Sequence, residues 1–256
     1  MTQNKFPTEI IDLPSKGHFY PEDNPLSSGK IEMRYMTARD EDILTSANLI
    51  QQGKALDKLL ESLIVDKTID YNDLLVGDKN AVMMGTRILG YGSEYKVVIN
   101  DPETNEEVEL QVDLTTLKPK EMDEKLLEKG ENKFEFELPN SKRKVEFKLL
   151  NGHDEKKIEE TLKELEKVEQ LTGVSSELTT RIKHQLISVD GNTEQAFIDN
   201  FVDNEFLALD TRAYRKYVAS ITPDIDLSFD YRTKGTGKEI KVDVPLGVEF
   251  FWPAGE

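Results

Sequence analysis

The sequence contains three histidines, His18, His153 and His184, in three separate predicted elements. A local metal site needs further ligands at matched spacing, and none of the three has a second histidine at such a distance, so each reads as a structural histidine. Asp40-Glu41-Asp42 has the residue types of a cation site. It opens a predicted helix, however, where carboxylates complement the positive helix end without an ion. Gly235-Thr236-Gly237-Lys238 has phosphate-loop residue types but lies between two strand-like runs, with no following Ser/Thr or helix, and an ordinary hairpin turn explains it. Gly77-Asp78-Lys79-Asn80 lacks the phosphate-loop pattern altogether. Serine, histidine and acid residues from distant segments could still meet as a hydrolytic triad, although no nucleophile-elbow pattern supports one.

The elements that would position such groups belong to a chain of 256 residues carrying 33 basic and 50 acidic side chains, a net charge of -17. That charge opposes nucleic-acid binding unless the basic groups gather on one face, and the sequence shows no basic patch interleaved with aromatics. Solubility is its plain explanation, and steering toward a basic partner is the alternative. There are no cysteines, which removes disulfides, thiolate metal sites and thiol nucleophiles. No apolar run approaches the roughly 20 residues that span a bilayer, and residues 1–8 carry no apolar signal core. The expected location is the cytoplasm.

The first 35 residues form an extended arm broken by Pro14, Gly17 and Pro21, with Ile10, Ile11, Leu13, Phe19 and Tyr20 as apolar anchors and a strand over 30–35. Thr37 is a candidate N-cap for a helix running to Gln52. Leu56, Leu59, Leu60 and Leu63 mark a second helix over 54–65, and Asp78 is the expected cap of a third that ends at Gly90-Tyr91-Gly92. The period then changes to two. Tyr95, Val97 and Ile99 answer Val108, Leu110 and Val112 as a hairpin, and after a short helix led by Lys118-Pro119 a second hairpin sets Phe134, Phe136 and Leu138 against Val145, Phe147 and Leu149. Ile158, Leu162, Leu165, Val168 and Leu171 form the seam of a helix over 153–172, which packs either on the chain's own core or on a partner. Helices are predicted near 176–189, 193–203 and 206–221. A last hairpin pairs Ile225, Leu227, Phe229 and Tyr231 with Ile240, Val242 and Val244 before the chain reaches Phe250-Phe251-Trp252-Pro253. Three adjacent aromatics cannot all face one side of a strand, so at least one of them is expected to face away from the local sheet and to be buried elsewhere, within the chain or on a partner.

This reading gives an α+β chain with a helical body and several antiparallel hairpins. Its segments are an arm with a short strand (1–35), a helical segment (36–92), two hairpins with a short helix between them (93–150), a second helical segment (151–222), and a hairpin with an aromatic tail (223–256).

Five stretches in order resemble the T4-type phage baseplate hub assembly family: Leu13-Pro14-Ser15-Lys16-Gly17-His18-Phe19-Tyr20-Pro21, Met36 to Leu44, Gly77 to Ala81, Arg87-Ile88-Leu89-Gly90-Tyr91-Gly92, and Phe250-Phe251-Trp252-Pro253. The resemblance implies a hub assembly protein, either a chaperone that leaves or a minor component that stays. It would act without catalysis or cofactor, in the infected host's cytoplasm or in the virion baseplate. Its partners would be other hub or tail proteins, with homo-oligomerisation compatible and neither nucleic acid nor membrane involved. The alternatives are a hydrolytic enzyme with a spatially assembled site and an acidic nucleic-acid mimic. In such relatives Cys-x-x-Cys knuckles are expected in the first and last hairpin turns; here those turns carry neither thiolate nor imidazole, so the two hairpins are expected to pair as a metal-free ribbon. Arm and tail are the expected partner-binding elements, through Leu13, Pro14, Gly17, Phe19, Tyr20, Phe250, Phe251, Trp252 and Pro253.

Overall fold

Where the apolar spacing alternates, the chain pairs into hairpins, and where apolar residues recur three and four apart it winds into helices. A computed structural model describes residues 7–122 and 130–251. Strand β1 (Thr8–Asp12) pairs antiparallel with β2 (Lys30–Arg34), so the arm doubles back on itself. Helices α1 (Ala38–Leu44), α2 (Ala47–Gln51), α3 (Ala55–Leu63) and α4 (Val76–Tyr91) follow. The next hairpin joins β3 (Glu94–Asn100) to β4 (Glu107–Asp113) in the register that alternation predicts, with Tyr95 opposite Val112, Val97 opposite Leu110 and Ile99 opposite Val108.

Strands β5 (Phe134–Glu137) and β6 (Lys144–Phe147) form the second hairpin, and a third strand, β7 (Leu186–Val189), adds to the outer side of β6. Between them lie α5 (Gly152–Thr172) and α6 (Glu177–Gln185). Helix α7 (Gln195–Asn200) widens into a π turn over Phe201–Glu205, α8 (Ala208–Ile221) follows, and β8 (Ser228–Arg232) with β9 (Glu239–Asp243) makes the last hairpin. The architecture is α+β, with small antiparallel sheets set around helices.

Four expectations need correction. The helix predicted near 176–189 stops at Gln185: Ile182, Leu186 and Val189 share helical spacing, but Leu186–Val189 is β7, where Ile187 and Val189 suit a strand. The helix predicted over 38–52 breaks at Thr45-Ser46, where the Thr45 hydroxyl bonds back to the Glu41 carbonyl. Asp78 does not cap α4 but sits buried inside its first turn. The tail turns as a short 3₁₀ segment, Val248–Phe250, rather than extending as a strand. The short helix expected after Lys118-Pro119 lies largely outside the described residues. Within them, Pro119 bridges Ile225.

One apolar core draws on all five segments, from Leu13 through Leu44, Tyr95 and Ile182 to Phe251. Its centre is aromatic. Phe134 stacks on Phe147 with ring centroids 5.5 Å apart, and Tyr214 meets Phe147 edge-on at 5.2 Å.

Candidate functional site

The arm is fastened by its own sequence. Lys16 and Gly17 turn the chain with φ of 52° and 81°, and a Cβ at Gly17 would lie 2.2 Å from the Ser27 carbonyl oxygen, so only glycine fits. Beyond that turn the fully buried Asp78 carboxylate accepts from the Ser15 amide (2.9 Å), the Ser15 hydroxyl (2.7 Å) and the Tyr20 hydroxyl (2.6 Å). The Tyr20 oxygen in turn accepts from the Leu75 amide at 2.9 Å. Burial pushes the Asp78 carboxyl up despite those donors, and burial together with the Asp78 charge raises the Tyr20 phenol. Serine, acid and tyrosine thus meet in a knot sealed from solvent. Among the described residues no histidine hydrogen-bonds to it, and its three donors tie the arm to α4.

The chain end is held in a similar way. Arg87, buried on α4, donates from Nε to the Phe250 carbonyl at 3.0 Å and from a terminal nitrogen to the Gly92 carbonyl at 2.9 Å. Phe250 packs on Tyr95 at 5.0 Å and meets Phe251 edge-on at 5.8 Å, with both phenylalanine rings fully buried.

The first full hairpin and the last one touch at their tips. Asp101 in the β3–β4 turn accepts from the Tyr231 hydroxyl (2.6 Å) and the Lys234 amide (2.7 Å), and it also binds the Glu103 and Thr104 amides of its own turn. Glu103 accepts from the amide and the hydroxyl of Thr236, each at 2.7 Å. These donors hold the Asp101 and Glu103 carboxyls below their ordinary values, and the bond to Asp101 pushes the Tyr231 phenol up to about 12. The pairing of the two hairpins predicted from sequence is present, made by carboxylates and backbone amides.

Sequence spacing did not reveal one cluster. His153, at the start of α5, brings Nε2 to 3.3 Å from Asp70 and 3.2 Å from Asp73, residues about eighty positions earlier in the chain. The far oxygen of each carboxylate is tied to an amide, Asn72 for Asp70 and Asn24 for Asp73, which aims the near oxygens at the imidazole. All three groups are substantially exposed, and the arrangement works as a polar link between α5 and the 70–73 turn.

Leu13, Pro14, Gly17, Phe19, Tyr20, Phe250 and Phe251, expected from sequence as partner contacts, are buried in the chain's own fold. The reason is geometric: the arm folds back as a hairpin over α4, and the 3₁₀ turn at the chain end directs both phenylalanines inward. Trp252 and Pro253 lie outside the described residues. What the arm presents outward is β1, an edge strand on which Ile10 is 58% exposed.

The molecule is thus an α+β protein whose polar clusters fasten arm, hairpins and chain end together. Residues 8–252 match the family model described as T4 bacteriophage base plate protein, and the chain belongs to that family. No curated protein and no solved structure matches it. Membership implies a structural or assembly role in the phage baseplate and contact with other baseplate proteins.

Proposed function

We propose that the chain is an assembly protein of the baseplate hub that acts by binding hub or tail proteins, as a chaperone or as a minor component. The observation that supports this reading most is the family match across 8–252, which takes in the arm motif, the α1 and α4 motifs and the aromatic chain end together. The polar groups that the fold gathers also favour binding over catalysis. Asp78, Arg87, Asp101 and Asp210 each use their hydrogen-bonding capacity to hold one element on another. The arm's share in partner binding falls on the open edge and outer face of β1, where an extended partner segment can add backbone hydrogen bonds. No helix of the described residues is long and apolar enough to cross a membrane, and assembly takes place in the cytoplasm of the infected host.

Affinity purification of the tagged chain from phage-infected cells tests the proposal. Recovery of hub or tail proteins in fixed ratio is the expected result. A chain that emerges alone under conditions that keep baseplate intermediates intact would remove the proposal, and assaying finished virions for the chain separates chaperone from component.

A further inference from the structure

A groove of roughly 300 Å³ is lined by residues of α6, of the π turn and of α8. Leu178 and Ile182 line one wall, Ala208, Thr211 and Arg215 line the other, and Phe206 closes one end. Each wall presents residues three or four apart, the face of a helix. Leu178 is 43% exposed at the groove, and Leu207 and Leu209, the chain neighbours of the lining residue Ala208, are 51% and 66% exposed. The π turn over Phe201–Glu205 leads into Phe206 and Ala208, both of which line the groove.

The charge around the groove is opposite in sign to that of the chain. Nearby carboxylates already have partners within the fold: Asp203 pairs with Lys183 at 2.7 Å, Glu205 with Arg143 at 2.6 Å and Glu177 with Arg181 at 3.2 Å. Arg212, Arg215 and Lys216 are exposed on α8, and among the described residues none of them has a carboxylate at ion-pair distance. In a chain of net charge -17, three unneutralised cations beside an apolar groove form a local positive rim. A second copy would bring its own negative charge to the whole interface, whereas a short acidic segment meets only the rim.

We propose that the α6–α8 groove is a docking site for an acidic amphipathic helix of a partner protein. Its apolar residues would seat between Leu178 and Ala208, and its carboxylates would pair with Arg212, Arg215 and Lys216. Two walls that each present one face of a helix can take a third helix by the ridge-and-groove packing that forms bundles. The assignment rests on the reading of the chain as a protein-binding assembly factor and specifies where one partner binds.

The probe is a synthetic amphipathic peptide of about 15 residues, near the length at which an isolated helix becomes marginally stable. It carries leucines on one face and glutamates beside them, and its control has lysine in place of every glutamate. Fluorescence anisotropy with the full chain should show the glutamate peptide binding about tenfold more tightly than the lysine peptide, with the difference shrinking at high salt. Amide shift changes should concentrate in α6 and α8. The double variant Arg212→Glu/Arg215→Glu, altered only at exposed positions, should reverse the preference, and Arg212→Lys/Arg215→Lys should retain it. Equal affinity for the two peptides, or binding that maps elsewhere, overturns the proposal. So does a concentration-dependent dimer that Leu209→Asp dissolves, because a second copy would then cover the groove. If hub proteins are still captured while the peptide preference is absent, the groove assignment falls and the assembly reading stands; if the preference holds without hub capture, the reverse is true.

Discussion

At the scale of single residues the fold depends on carboxylates that receive several donors. Asp40 accepts both terminal nitrogens of Arg34 at 2.7 Å and the Thr37 amide at 2.8 Å, and the Arg34 guanidinium holds its carboxyl down to about 2. Burial pushes Asp210 up, but the amides of Asn140 and Ser141 outweigh it and leave that carboxyl at about 2 as well. A carboxyl lowered on folding contributes stability that is fully present above its unfolded value, about 4, and is lost as pH falls toward the folded value. Asp101 and Glu103 act with the same sign, whereas Asp78, raised by burial, acts with the opposite sign and disfavours folding as it ionises. Urea midpoints measured across pH should therefore stay level near neutrality and fall as pH drops from about 4 to about 2. Amide protection at Lys234 and Thr236, relative to the intrinsic exchange rate at each pH, should fall over the same range as the hairpin tips part. A midpoint that stays level down to pH 2 would contradict this account. Thr37 and Asp40 could be read from sequence because capping is local, whereas the donors that tie Asp78, Asp101 and Asp210 to other elements lie 58 or more positions away in the chain and no spacing rule reaches them.

At the scale of elements, alternation made the β3–β4 and β8–β9 registers legible, since every apolar pair on the inner face follows from period two. It failed at β7, where four residues satisfy helical and strand spacing equally and the arbiter is the open edge of β6. It failed again at the chain end, where a 3₁₀ turn lets Phe250 and Phe251 both point inward. Their burial leads to a direct expectation. Phe251→Ala should destabilise the chain by about 3–5 kcal/mol, the usual cost of emptying a buried phenylalanine site, and should leave partner affinity unchanged in the molecules that remain folded. Unfolding by urea and binding to purified hub proteins measure the two quantities separately. Lost affinity with little loss of stability would return Phe251 to the partner surface.

At the scale of the whole molecule, arm and chain end close on the same helix: Asp78, near the start of α4, holds the arm, and Arg87, nine residues closer to its end, holds Phe250. The side chains of the arm motif and of Phe250 and Phe251 are largely inside, which leaves outer faces such as the β1 edge and the α6–α8 groove to meet other proteins. The sequence foretold the fold class and the family but not these surfaces, because an interaction face is defined by what the core leaves uncovered. The central claim is that the chain is needed to build the hub. Cells infected with phage carrying an early nonsense codon in this reading frame should accumulate baseplate parts that lack a completed hub, seen by electron microscopy and restored when the intact chain is supplied from a plasmid. Complete baseplates and normal phage yield in the absence of the chain would contradict the claim.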